Sequence, residues 1–89
     1  MKEKKIIISN KLGLHARAAA KIVTLTNKFQ SIIEITNDDK RADAKSIMKI
    51  LMLAAPQGTE IKITASGKDE SIAIKSLENL IKAKFNEEH

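Results

Sequence analysis

The chain has 89 residues, enough for one domain that buries roughly 60–65% of its unfolded surface, and too few for a catalytic cleft and a nucleotide pocket together. An apolar fraction of 43%, a charged fraction of 30% and only two phenylalanines as aromatics point to a globular fold with an aliphatic core, while the lack of cysteine excludes disulfides and thiolate chemistry. The net charge of +5 suits nucleic acid, an acidic protein or a phosphorylated group as partner, or reflects a Lys/Ile-rich composition alone; with no Tyr or Trp among the basic residues, single-strand binding by base stacking is disfavoured.

Residues 5–9, short and β-branched, read as a first strand. Residues 10–14 form a loop punctuated by Gly13. From Ala16 to Asn27 the pattern is helical: Ala19, Ile22, Val23 and Thr26 recur at i, i+3, i+4 and i+7, with Phe29 next, while Arg17, Lys21 and Thr24 lie off the stripe and Leu25 fits it poorly. Residues 31–36 read as a strand with Ile33 and Ile35 on one face. Asn37-Asp38-Asp39-Lys40 is turn chemistry, and a strand over 40–44 returns from it as a hairpin.

Ser46 suits the N-cap of a helix running to about Ala54. That segment is apolar nearly all round. If Ile50 and Leu53 point inward, then Ile47, Met48, Leu51 and Met52 stay partly exposed, as a docking surface would; the competing reading is a short, fully buried helix. After Pro56-Gln57-Gly58, residues 59–66 alternate, with Ile61, Ile63 and Ala65 inward. Gly67 turns the chain. Asp69 is placed to cap a last helix, Glu70 suits its positive end, and Ala73, Leu77, Leu80 and Ile81 form its apolar stripe, with Phe85 four residues beyond. Residues 86–89 read as a polar, frayed end. The order βαββαβα fits an α+β fold over residues 1–89, with a four-stranded antiparallel sheet and three helices on one face.

The chemistry-bearing stretch is residues 10–21, Asn-Lys-Leu-Gly-Leu-His-Ala-Arg-Ala-Ala-Ala-Lys. It places His15 where a loop meets a helix, with Arg17 beside it. Helix N-termini offer free N–H groups and a positive dipole end, which favours anions. No second ligand lies at metal spacing from His15, so no metal is expected. No nucleophile elbow and no Gly-rich phosphate loop is present. Two readings stand on the residues alone: His15 is a nucleophile that takes a phosphoryl group, since imidazoles titrate near neutral pH and keep a nitrogen free to attack, or it simply ends a loop with Arg17 as surface charge.

Leu-Gly-Leu-His-Ala-Arg-Ala-Ala at 12–19 resembles the active-site signature of the HPr family, the histidine-containing phosphocarriers of the bacterial phosphoenolpyruvate-dependent phosphotransferase system. Lys45-Ser46-Ile47-Met48, and Gly58-Thr59-Glu60-Ile61 leading to Ala65-Ser66-Gly67-Lys68-Asp69-Glu70, resemble further family hallmarks, and the resemblance runs through the whole chain in order. It implies an open-faced βαββαβα sandwich. It implies that His15 takes a phosphoryl group on Nδ1 from enzyme I and passes it to a IIA protein or domain for sugar uptake and its regulation. Arg17 and the backbone N–H groups at Ala16 and Arg17 would steady the phosphate. The chain would be a cycling carrier, not an enzyme acting on a small substrate, and would need no metal, nucleotide or other cofactor.

The same resemblance makes Ser46 a regulatory phosphorylation site for an HPr kinase/phosphorylase; the plainer reading is an N-cap alone. A phosphate there would be tolerated by the helix dipole and would weaken enzyme I binding. The partner-binding residues implied are Ile47, Met48, Leu51 and Met52, with Ala20, Lys45 and Lys49 around them. Ala18 stands where many family members carry proline, and alanine is tolerated there as a good helix former. A regulatory or nitrogen-type paralogue, signalling through its phosphorylation state, is the alternative. A basic nucleic-acid-binding domain is a third reading, against which the lack of stacking aromatics counts. Only Ile6, Ile7 and Ile8 follow the first lysines, too few for a signal-peptide core, and no run approaches the roughly 20 apolar residues of a membrane span. The expected state is a cytoplasmic monomer with no membrane insertion and no nucleic-acid partner.

Overall fold

Residues 1–86 are described by the structure, a computed structural model. Its elements are β1 (Lys2–Ile7), α1 (Ala16–Thr26), β2 (Ile32–Asn37), β3 (Lys40–Asp43), α2 (Ile47–Met52), β4 (Glu60–Ser66) and α3 (Glu70–Lys82), followed by a 3-10 turn at Lys84–Asn86. The strands form one antiparallel sheet in the order β1-β4-β2-β3. Strand β4 shows why: its two-residue alternation puts Ile61, Ile63 and Ala65 on a single face, opposite Ile6 of β1 and Ile35 and Ile33 of β2. All of these are buried. The three helices cover that face. α3 lies against β1 and β4, α2 against β3, and α1 packs between α2 and α3. The other face carries Glu3, Lys5, Glu34, Lys62 and Arg41 and is open.

Four expectations shift. Strand β1 occupies Lys2–Ile7 in place of 5–9, because its lysines sit on an edge strand with outlets for their charge. Lys4 points to the helix side and pairs with Glu78 at 3.5 Å. Ile8 leaves the strand but stays buried, held by Thr59 and Gly58 across the loop. Helix α2 stops at Met52, with Leu53 as C-cap, because Ala54 turns left-handed at φ +50.

Asp69 stands at the N-cap position of α3, yet its carboxylate does not cap the helix. It reaches across instead to accept from Gln30 N at 2.8 Å, Ser31 N at 3.0 Å and the Ser31 hydroxyl. The hydroxyl, then the Gln30 N–H, hold this carboxyl below the usual aspartate range. Glu70 serves the turn, accepting from Gly67 N at 3.2 Å. Finally, α3 does not run on to Phe85. The chain turns left-handed through Lys84, Phe85 and Asn86, and this is what drives the Phe85 ring into the core, where it is fully buried. The expectation for residues 87–89 lies outside the described residues.

Candidate functional site

The segment before α1 is fastened at several points. Gly13 takes φ +68, and a Cβ there would come within 2.5 Å of the Ala55 carbonyl oxygen and 2.8 Å of Pro56 Cα. Glycine is therefore required twice over, for its left-handed backbone and for its close approach. Leu14 N donates to Ala55 O at 2.9 Å, and the Leu14 side chain is buried. The Gly13 carbonyl accepts from the Asn10 side-chain amide at 2.8 Å and from His15 N at 3.0 Å. His15 emerges from this anchored turn half-buried, as N-cap of α1, with φ −85 and ψ 178.

The His15 ring faces the start of its own helix. Its Nδ1 accepts from Arg17 N at 3.3 Å, which leaves the lone pair on Nδ1 and the ring proton on Nε2. The first helical bond of α1 runs from Ala19 N to His15 O. The N–H groups of Ala16, Arg17 and Ala18 therefore precede the helical ladder, and an oxygen placed at Nδ1 would meet the positive end of the helix. Ala16 and Arg17 are exposed there. Arg17 lines a shallow groove between α1 and α3, with Ala20, Lys21, Leu25 and Leu80. Lys21, one turn on, donates to the Phe85 carbonyl. Ala18 is fully buried.

Helices α1 and α2 run antiparallel, and the bonds at their ends show it. Leu14 N meets Ala55 O just before α1 and just after α2, while Thr26 Oγ1 donates to Ala44 O at 2.8 Å at the opposite end. Ser46 therefore lies near the far end of α1. That helix has 11 residues and is about 16 Å long at 1.5 Å per residue. Ser46 is the N-cap of α2, its hydroxyl accepting from Lys49 N at 3.3 Å.

On α2, Ile50 and Leu53 point inward and are buried, Leu51 is half-buried, and Ile47, Met48 and Met52 are exposed, the two methionines at 71% and 72%. An apolar patch of this kind on a six-residue helix is not what core packing produces. Lys49 is exposed beside Met52. Lys45 differs: it is half-buried, and its ammonium donates to Phe29 O at 2.8 Å, so it closes the α1–β2 connection instead of standing free beside the patch. Ala20 sits half-buried on α1.

Three contributors escaped the sequence reading. Asn10 and Gly13 looked like ordinary loop residues. The Ala55 carbonyl acts through its backbone and leaves no sequence signal. Among the described residues, no group of three or more His, Cys, Asp or Glu side chains could hold a metal ion, and no helix is long and apolar enough to cross a membrane.

Comparison with known proteins adds four findings. The family model described as the PTS HPr component phosphorylation site matches residues 2–83. The phosphocarrier protein HPr of Xylella fastidiosa (strain 9a5c) is 46% identical over 88 residues, 99% of each chain. The phosphocarrier protein NPr of Shewanella violacea is 40% identical over 85 residues, 96% of this chain and 93% of that one. Among solved structures, HPr-C-His from Thermoanaerobacter tengcongensis superposes with a TM-score of 0.96 at 50% identity, over 100% of both chains.

Proposed function

The chain belongs to the HPr family, the phosphocarriers of the phosphotransferase system, and from that premise we propose that His15 is the residue that carries the phosphoryl group and that Nδ1 is the atom that takes it. One observation supports this above others: Nδ1 faces the first-turn N–H of α1 at Arg17. In the free protein that N–H steadies the ring. When the Nδ1 lone pair forms the new P–N bond, the donor imidazole of enzyme I leaves with the electron pair of the bond that breaks. The Arg17 N–H is then released to a phosphoryl oxygen, and the helix dipole favours the charge that arrives. Return transfer to a histidine of a IIA protein runs the same steps in reverse, so the chain ends as it began and acts as a carrier.

Arg17 stands exposed in the first turn of α1. The part of its guanidinium is to pair with the loaded phosphate, which a planar two-donor fork suits. Ile47, Met48, Leu51 and Met52, with Ala20 and Lys49, supply the face on which enzyme I and the IIA acceptor dock in turn.

Ser46 is a regulatory site on that face. A phosphate on Ser46 would add negative charge at the start of α2, beside Ile47 and Lys49, and so act on docking. A nitrogen-type role is favoured by one observation, the NPr of Shewanella violacea among the relatives; the IIA proteins that accept the phosphoryl group decide between the two. Incubation with phosphoenolpyruvate and enzyme I tests the core assignment. The wild type takes up one acid-labile phosphoryl group and His15→Ala takes up none; equal labelling of both overturns it.

A further inference from the structure

We infer that Asn10 is a positioning residue for phosphoryl transfer: its buried side-chain amide clamps the Gly13 carbonyl and so sets the backbone that presents the His15 ring. The inference rests on the reading of His15 as acceptor. Asn10 has no exposed surface, so it cannot itself touch a partner. Its Nδ2 donates to Gly13 O at 2.8 Å, and Gly13 N returns a bond to Asn10 O at 3.2 Å. The same Gly13 carbonyl accepts from His15 N at 3.0 Å. One oxygen, with two lone pairs, thus receives one donor from Asn10 and one from the backbone of His15 itself.

Three consequences follow from that shared atom. Any rotation of the Gly13–Leu14 peptide that lets His15 drift also breaks the Asn10 bond, leaving a buried amide without its acceptor, which is expensive. The contact between Nδ1 and Arg17 N is long, 3.3 Å, and does not by itself fix the ring; where the backbone places the ring contributes to its aim at α1. And a carrier must offer one nitrogen in the same place to a donor protein and then to an acceptor protein, where a misplacement of about 1 Å costs up to 10²-fold in rate.

Asn10→Asp keeps the shape, removes the donor and sets a carboxylate against the Gly13 carbonyl. The assay is steady-state phosphorylation by enzyme I and phosphoenolpyruvate at varied carrier concentration, run after the wild type has been shown to carry its phosphoryl group on His15. A wild type without that group overturns the acceptor assignment itself. With the group present, Asn10→Asp lowers kcat roughly ten- to hundred-fold and leaves KM within about twofold, since the α2 docking face is untouched. Ile33→Val, which trims the core opposite Ala65 at the end of the sheet away from the loop, keeps both constants.

An unchanged kcat in folded Asn10→Asp, a rise in KM alone, or the same kcat loss in Ile33→Val overturns the inference. A measurement on the wild-type chain decides it whether or not the variant folds. The Asn10 side-chain amide protons exchange with solvent far more slowly than those of exposed Asn27, both free and phosphorylated. Exchange at the Asn27 rate in either state overturns the clamp.

Discussion

Replacing Gly13 by alanine strikes the anchored turn at its tightest point. Its backbone sits at φ +68, where an L-residue with a Cβ costs about 1–2 kcal/mol. The new Cβ meets Ala55 O at 2.5 Å and Pro56 Cα at 2.8 Å; both are backbone atoms, so the two loops must part. Parting them breaks the bond from Leu14 N to Ala55 O, worth about 1 kcal/mol. Against this, alanine restricts the unfolded chain and returns about 0.4–1 kcal/mol. The sum is a loss of about 2 kcal/mol.

Gly58 supplies an internal control. It too is left-handed, at φ +92, but a Cβ there has nothing within 4 Å, so Gly58→Ala carries only the backbone cost less the entropy gain, about 1 kcal/mol or below. Urea denaturation followed by far-ultraviolet circular dichroism measures both. Gly13→Ala should be the less stable by about 1 kcal/mol and should also be phosphorylated more slowly while folded, because His15 follows the displaced turn. A Gly13→Ala chain as stable as Gly58→Ala refutes the claim that the turn is wedged against residues 55 and 56.

Other perturbations have equally definite outcomes. Phe85→Ala empties a fully buried site under the terminal turn and should cost about 3–5 kcal/mol, seen as a much lower urea midpoint; a loss under about 1 kcal/mol would mean that the turn does not close the core. Acid should unfold the protein through Asp69, Glu70 and Glu78, all held below their ordinary values of 3.8 and 4.5: Asp69 by the Ser31 hydroxyl, Glu70 by the Gly67 N–H, Glu78 by Lys82 and then Lys4. The unfolded chain binds these protons more readily, so their contribution is whole above about pH 4.5 and is lost as pH falls through the lower folded-state values. Asp69→Asn should therefore flatten the fall in urea midpoint below that pH, and an unchanged slope counts against the Asp69 clasp. Met48→Glu should raise KM for enzyme I and leave the thermal midpoint within a few degrees, because Met48 is already 71% exposed; unfolding would show that the α2 patch is core.

What could be read from the sequence was whatever depends on periodicity. The alternation of β4, the stripe of α1 and the serine that starts α2 are local patterns with one physical outcome each. Strand β1 was displaced because Lys2 and Lys4 look unlike strand residues until Glu78 is known to stand behind Lys4. Glu78 itself was invisible as a buried group: a carboxylate on the inner side of α3 is tolerable only between Lys4 and Lys82, and the first of these is 74 positions away in the chain. Asp69 looked like a cap, and only tertiary structure brings Gln30 and Ser31 within its reach. At the candidate site, the motif singles out His15 and Arg17. The scaffold that aims them was not legible, because most of it is backbone: the Gly13 and Ala55 carbonyls carry no sequence signature.

The central claim is that one atom, Nδ1 of His15, carries the phosphoryl group. Long-range proton–nitrogen NMR of the imidazoles, before and after incubation with phosphoenolpyruvate and enzyme I, tests it directly. The expected result is a phosphorylated Nδ1 on His15 and an unchanged ring at His89. A phosphoryl group on Nε2 of His15 or on His89, or rings identical before and after, would contradict it.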